Sequence, residues 1–546
     1  CRAGRGPVNM GRGDAGAGCR EARFAWIWTA VYFAVVLLGM WRHEMWRDEY
    51  QAWLFARDSA SVRDLFANLR YEGHPPLWHL MLYGVTRFTV NPAAMQVVHL
   101  VLATIAAWLV LRHAPFSRLF RAAFCFGYFA VYEYAVISRN YSLGLLAALL
   151  FIIRYRDGGR LGVGMGLILA GLALSNPFAA LMSLALCIFV AVDRLLMPEA
   201  PAGRWNRGVV STLGLGLAGV GLALWMIVPP ADGGFMNFAA RPRGFQMAPL
   251  RLAFSYVLTS HIPIPQAGIV GWNTNWFSDW GENALAIGGV LIVMVSVLVL
   301  LRNLRALAIY LIATGGYLAY FYLTAMSSHY LRYAGHLFLV LVISLWFSRT
   351  LKPGWTFRWT KGRGGALGAL ERAFIGMLLA AQVFGGAVAY ARDWRHPFTN
   401  SAAAAAFIAQ SGLDHIPLVG TRDYVIQPLS AMFNRPIFYP ERGGFGSFVV
   451  WDLIRLNPVT PQMIVDPCFG LRRESEEQVL VVLSSGLTKS VDGQEIPVRE
   501  EPVGEGYILR FLATFSETSI CGDAAYHVYL LERANAARPP APEGSR

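Results

Sequence analysis

The chain has few charges inside its apolar stretches, no processing site after the first of them, and no basic face of the kind that binds nucleic acid. Asp, Glu, Lys and Arg make up only 15% of the residues, well below the roughly 25% of ordinary soluble domains. The hydrophobic fraction is 55% and the mean hydropathy +0.42. That excess is gathered into blocks: Phe24 to Met40, Gly208 to Val228, Ala284 to Leu301, Ala306 to Met326 and Phe374 to Tyr390. Each approaches the roughly 20 residues that a membrane-crossing helix needs. Backbone groups in lipid must pair within their own segment, so these blocks are read as helices. Phe24 to Met40 leads into charged sequence with no small-residue cleavage site, so it is expected to be a retained span and not a cleaved signal. Residues 1–23 read as a disordered basic cytoplasmic arm, and Cys1 in place of Met points to a fragment or a misplaced start.

The formal charge is +13, yet the basic residues fall between apolar blocks instead of on one soluble face, so the expectation is no nucleic-acid partner. They form five clusters: Arg112, Arg118 and Arg121; Arg154, Arg156 and Arg160; Arg194, Arg204 and Arg207; Arg302 and Arg305; and Arg349 to Arg372. The positive-inside rule assigns these, with the N-terminus, to the cytoplasm. Spans follow near 24–41, 93–111, 122–137, 141–153, 161–174, 177–192, 209–228, 283–301, 306–326, 333–348 and 373–390. This parity puts Trp41 to Pro92, Tyr132 to Tyr141, Pro229 to Glu282, Ser327 to Arg332 and everything after Tyr390 on the outer face. Pro75 to Val90 carries His79 and Arg87 and reads as a partly inserted or interfacial helix. The expected fold is an α-helical polytopic membrane protein of about 11 or more transmembrane helices, spanning 24–390, followed by a soluble α/β domain at 391–546. In that domain the β-rich runs Ile416 to Gly420, Gln478 to Leu483, Tyr507 to Leu512 and His527 to Leu531 alternate with helical patterns at Ser401 to Gln410 and Tyr424 to Phe433. Cys468 and Cys521 are either a disulfide or two buried thiols.

Four outward elements carry residues able to do chemistry. Asp48-Glu49, flanked by Trp46, Tyr50 and Trp53, offers two carboxylates at an interface, suited to a general base or to holding a cation. Glu72-Gly73-His74-Pro75-Pro76-Leu77 folds back behind it, with proline at a helix entry. Glu133 to Tyr141 presents Arg139 at a helix end, where arginine either snorkels or holds a phosphate. Ser328-His329-Tyr330-Leu331-Arg332 is a turn with two cationic candidates, open to the same two readings. Each of these has an ordinary structural explanation when taken singly. Charge-derived topology puts all four on one side, where carboxylates and cations together suit a reaction on a lipid phosphate. In the Pro229 to Glu282 loop, aromatics including Trp272, Trp276 and Trp280 form an interfacial belt or stack on a sugar. The apolar residues from Phe245 to Tyr256 read as an amphipathic helix capping the site.

Asp48-Glu49 after the first span, His74-Pro75-Pro76-Leu77 behind it and Ser138-Arg139-Asn140-Tyr141-Ser142-Leu143 after the third together resemble the GT-C glycosyltransferases, in their protein O-mannosyltransferase and aminoarabinose-transferase branch. The resemblance covers about Phe24 to Tyr390. It implies a glycosyltransferase of the bacterial inner membrane that moves a sugar from a polyprenyl-phosphate donor to a glycan, lipid or protein acceptor on the outer face, with inversion. It implies Asp48 as general base and Glu49 as its catalytic neighbour, Arg139, Arg332, His329 and His74 on the donor phosphate, and Tyr141 and Trp276 on substrate. Related enzymes often place an acidic residue in the second outer loop; this chain has Glu133 upstream and Asn140 beside Arg139. No metal ligand set is assigned; a divalent metal is possible but not required, since the arginines can take its place. A transporter or flippase of a lipid-linked glycan, the alternative from another class, calls for ionisable residues at mid-span and inverted repeats. A non-catalytic scaffold leaves the outward clustering unexplained.

Overall fold

The computed structural model describes residues 12–156, 159–196, 205–234, 244–324, 331–353, 364–472, 478–491, 494–522 and 525–534. Its helices are α1 (Arg12–Arg42), α2 (Arg47–Asp58), α3 (Val62–Leu69), α4 (Leu77–Thr86), α5 (Ala93–His113), α6 (Arg118–Cys125), α7 (Tyr141–Arg154), α8 (Val163–Ala173) and α9 (Pro177–Leu196). They continue as α10 (Arg207–Ile227), α11 (Met247–His261), α12 (Glu282–Leu300), α13 (Leu304–Thr324), α14 (Leu331–Thr350) and α15 (Gly364–Arg395). Between α6 and α7 lies a π-helical segment, Tyr128–Val136.

Among the described residues eight helices, α1, α5, α9, α10 and α12 to α15, are long and apolar enough to cross a membrane. The remaining expected spans are shorter. The block at 122–137 is split between the end of α6 and the π-helix, and α7 and α8 have only 14 and 11 residues. The segment Ser138-Arg139-Asn140 is buried before α7 starts, so part of that crossing is polar chain and not helix. α1 starts at Arg12, so the helix reaches into the stretch expected to be a disordered arm. α4 is 10 residues long, about 15 Å at 1.5 Å per residue, half the thickness of a hydrocarbon core of about 30 Å. α11 corrects an expectation: it is packed against α12, α13 and α14 with Ser255 to His261 buried, and so belongs to the bundle.

α14 is apolar all round and buried along nearly its whole length, the pattern of a helix at the centre of a bundle. Small residues let its neighbours approach. A Cβ on Gly335 would collide with Phe129 and the Tyr134 hydroxyl, and one on Gly386 would lie 3.0 Å from the Tyr128 backbone nitrogen.

The two ends of the bundle differ in their side chains. At one end Glu21 of α1 holds Arg118 and Arg121, Asp193 holds Arg305, and Glu371 holds Arg302 and Arg349. These basic loops were the ones grouped by charge. The other end of α1 runs into His43 and α2.

The C-terminal domain is built from α16 (Ser401–Gln410), α17 (Asp423–Met432), α18 (Pro461–Arg472) and strands β1 (Leu418–Gly420), β2 (Ile437–Tyr439), β3 (Gly444–Gly446), β4 (Val479–Leu483), β5 (Thr488–Val491), β6 (Gln494–Pro497), β7 (Glu500–Gly504), β8 (Tyr507–Phe515) and β9 (Tyr526–Arg533). The main sheet runs β3-β2-β1-β4-β9-β8-β7; β1 is parallel to β2 and β4, the other pairs are antiparallel, and β5-β6 forms a separate hairpin. Alternate residues of β4 enter two cores, Leu480 and Val482 against α16 and α17, and Val479, Val481 and Leu483 on the face covered by Cys468 and Phe469 of α18. Burial on both faces explains its unbroken apolar sequence. Cys468 and Cys521 lie in different cores: Cys468 is buried under the sheet and donates to the Ile464 carbonyl at 3.1 Å, while Cys521 is half-buried against the helical bundle.

Candidate active site

α2 carries the acidic pair in its first turn, where carboxylates favour the unpaired N–H groups and positive dipole end of a helix. Its sequence is polar on average, yet Glu49 to Ala56 are buried in succession. α4 covers one side, and α17 of the C-terminal domain the other. Gln427 donates to the Arg47 carbonyl at 3.2 Å, Phe55 stacks on Phe448 at 4.5 Å, and the Gln51 amide exchanges two hydrogen bonds with the Val449 backbone, at 2.8 and 3.1 Å.

The two carboxylates have different surroundings. Glu49 is fully buried: one oxygen accepts from the Trp46 backbone N–H at 3.0 Å and meets His43 Nε2 at 3.0 Å, and the other accepts from Ser138 N–H at 2.6 Å. His43 Nδ1 in turn meets Asp393 at 2.8 Å. Burial works to lower the His43 pKa, but Asp393 and Glu49 outweigh it and raise it to about 10, so the imidazole is a cation between two carboxylates. Glu49 therefore ties α1, α2, the Ser138 loop and α15 into one unit.

Asp48 is the exposed partner. Its side chain keeps 30% of its surface, and its Oδ2 lies 2.7 Å from Arg139 Nη1 and 3.6 Å from Arg332 Nη2, while Oδ1 lies 3.7 Å from Arg47 Nε. Partial burial pushes its pKa up, but the Arg139, Arg332 and Arg47 guanidiniums outweigh this and hold the carboxyl below its ordinary value. Arg332, at the start of α14, donates to the Tyr333 hydroxyl at 3.2 Å and lies 5.1 Å from the Trp46 ring and 5.0 Å from the Trp272 ring. The Trp272 indole N–H donates to Glu133 at 3.0 Å, and Tyr128 donates to the same carboxylate at 2.9 Å.

Four of the residues singled out by sequence, Asp48, Arg139, Arg332 and His74, thus converge. His74 Nε2 stands 3.5 Å from Arg139 Nη2, at the limit of a hydrogen bond. Burial and the neighbouring Arg139 lower its pKa to about 3, so His74 is neutral and an acceptor. Tyr141 is buried one residue past Asn140, stacked on Tyr134 with ring centroids 5.1 Å apart. Trp276 is not brought in: its side chain is 51% exposed, and its backbone N–H donates to the Ile264 carbonyl at 2.8 Å. Trp272, four residues earlier, is the loop tryptophan that lies beside Arg332 and Glu133. His329 lies outside the described residues. Among the described residues no group of three or more His, Cys, Asp or Glu side chains is arranged to hold a metal.

Sequence reasoning passed over His43, Gln51 and Glu72 as site residues. Glu72 accepts a short hydrogen bond from Gln51. Burial, opposed by Gln51 and reinforced by Asp48, raises its pKa to about 7. The spacing Gln51 to Glu72 carries no local signal, because the contact exists only once α4 has folded the chain back over α2.

No family model matches the chain, and no curated protein does. Among solved structures it is similar to the crystal structure of ArnT from Cupriavidus metallidurans bound to undecaprenyl phosphate, with a TM-score of 0.46 at 15% identity over 86% of this chain and 96% of that one.

Proposed function

We propose that this protein is a membrane glycosyltransferase that takes a sugar from a polyprenyl-phosphate donor and transfers it, with inversion, to an acceptor hydroxyl on the outer face of the inner membrane. The observation that supports it best is one half-open carboxylate, Asp48, held between two guanidiniums brought from distant segments, Arg139 and Arg332. Two arginines are a fitting cradle for a phosphodiester, and the half-buried Trp272 indole beside Arg332 suits a sugar ring.

Departure of the phosphate builds negative charge on its oxygens and positive charge at the anomeric carbon. Arg139 and Arg332 stabilise the first. Without donor, Asp48 neutralises them and is a weak base. A bound phosphate competes for the same guanidinium N–H groups, which frees the carboxylate and raises its proton affinity. Asp48 then accepts the proton of the acceptor hydroxyl as the new C–O bond forms. Neutral His74 accepts from Arg139 and orients it. Glu49 is a positioning residue: with His43 it fixes the turn that presents Asp48 and the Ser138 loop that presents Arg139. Glu72, once ionised, adds a second negative charge beside Asp48 and makes that carboxyl more basic.

The test is transfer from a radiolabelled polyprenyl-phosphate sugar in reconstituted vesicles. Asp48→Asn is expected to abolish product formation with normal insertion and folding; full activity in that variant contradicts the assignment.

A further inference from the structure

Beside the reaction centre, and separate from it, α3 and the last turn of α10 enclose an open groove of about 670 Å³. Its floor is apolar, with Val62, Phe66 and Trp225 among its lining, and Val62 and Trp225 keep 46% and 50% of their surface exposed. Arg63 and Arg70 project from α3 and its C-terminal cap onto this floor. The Arg70 guanidinium lies 4.7 Å from the Trp225 ring, its Nε is buried without a hydrogen-bond partner, and Arg63 is exposed. Among the described residues neither arginine pairs with a carboxylate. The acidic group at the rim is Asp232, which accepts from the Tyr71 hydroxyl at 3.1 Å.

The groove continues a membrane-facing surface. α10 is one of the membrane-crossing helices, and Leu217, Leu224 and Trp225 on it are all about half exposed. Leu217 and Leu224 are seven residues apart, two helical turns, so they form one apolar stripe. That stripe rises along α10 to Leu224, whose sequence neighbour Trp225 lines the groove under the Arg70 guanidinium. Apolar track below, arginines and an indole at the helix end above, is the arrangement that a phospholipid of one leaflet matches from acyl chain to headgroup.

We propose that this groove binds an anionic phospholipid, its headgroup phosphate between Arg63 and Arg70 and an acyl chain along the Leu217–Leu224 stripe. Arg70 leads directly into Tyr71-Glu72-Gly73-His74, whose Glu72 and His74 touch Gln51 and Arg139. Occupancy by lipid therefore steadies the segment that closes over Asp48. The inference stands whether or not the centre is a glycosyltransferase.

The experiment uses the full chain in nanodiscs containing a trace of phosphatidylglycerol bearing a photoreactive group on one acyl chain, with labelled peptides mapped by mass spectrometry. The expected result is labelling concentrated in α10, falling at least fivefold in an Arg63→Ala/Arg70→Ala variant of unchanged melting temperature and largely kept in Arg63→Lys/Arg70→Lys. Arg63→Glu alone, at an exposed position, is expected to lower labelling as well, which keeps the test open if the double variant fails to fold. Equal labelling by a photoreactive phosphatidylcholine, or equal labelling of the alanine variant, would mean ordinary contact with bulk lipid and would overturn the proposal. Loss of labelling on addition of millimolar inorganic phosphate would overturn it too, by assigning the arginines to a free anion.

Discussion

Both ends of the helical bundle gather arginines around carboxylates, but they do so in different proportions. At the basic end Asp193 is fully buried and gripped by both sides of one guanidinium, with Arg305 Nε at 2.5 Å and Nη2 at 2.8 Å, and it also accepts from the Tyr155 hydroxyl at 2.6 Å. Every oxygen is used and no solvent reaches it. At the other end one carboxylate oxygen of Asp48 faces two guanidiniums at 2.7 and 3.6 Å and stays 30% exposed. The closed pair is built to hold α9 to α13. The open one has more cationic donors than its carboxylate can satisfy and a path for an anion to reach them. Charge counts alone do not separate these two cases; the ratio of donors to acceptors and the access of solvent do.

Mutation should break this comparison cleanly. Asp48→Asn is expected to lower the transfer rate by about 10²–10⁴-fold, the usual contribution of a general base, while leaving the melting temperature within a few degrees. Arg305→Ala at the opposite end should do the reverse. It leaves the Asp193 charge buried with one phenol donor, a change that costs on the order of 3–5 kcal/mol, so the protein should be hard to recover, and whatever folds should turn over normally. Arg139→Ala and Arg332→Ala should each weaken donor use by about tenfold or more, the loss of about 1.5–3 kcal/mol for a hydrogen bond to a charged group, read as a rise in donor KM in vesicles.

His43 gives a smaller effect, in stability. Its folded pKa of about 10 lies above its ordinary 6.5, so its contribution is complete below about pH 6.5 and is lost as the pH rises through 10. Melting curves in detergent should show wild type losing stability between pH 7 and 10, and His43→Gln should start lower and remove that decline. The smallest expected effect is that of Glu72→Gln. With Glu72 titrating near pH 7, the wild-type rate should rise through neutrality as its second charge appears, and the variant should lose that rise while keeping its low-pH rate within about threefold. A variant profile that still inflects near pH 7 would assign the titration to another group.

Much of this was legible in the sequence because membrane folding leaves a strong composition signal. Long apolar blocks and arginine-rich connections brought out most of the long helices and sorted the loops to two ends, and the side-chain pairs at each end agree with that sorting. α16 and α17, and the strands β1, β4, β8 and β9, were legible from local periodicity. β2, β3, β5, β6 and β7 were not: β3 is Gly-Phe-Gly, β5 and β6 form a polar hairpin, and β2 and β7 lack the longer apolar runs that mark β1, β4, β8 and β9. The bounds of α7 were legible, but the burial of Ser138, Arg139 and Asn140 just before it is a tertiary event with no local signal. Within the site, the placing of Asp48, His74, Arg139 and Arg332 on one side was read from topology, whereas the different burial of Asp48 and Glu49 was not. Neighbouring residues of like charge look alike in sequence; here a one-residue step of about 100° around a helix puts one carboxylate on the open side and the other inside, against His43. Trp276 and Trp272 differ for a related reason: both are aromatic and both sit in one loop, and only the fold of that loop turns one ring toward Glu133.

The central claim is that Asp48 and a donor phosphate compete for Arg139 and Arg332. The direct measurement is the affinity of wild type and Asp48→Asn for polyprenyl phosphate, taken with turnover on the same preparations. Removing the competing carboxylate charge should tighten binding by about tenfold, equal to about 1.4 kcal/mol, as transfer is lost. Binding that is unchanged or weaker in Asp48→Asn, or transfer that survives in it, would contradict the account.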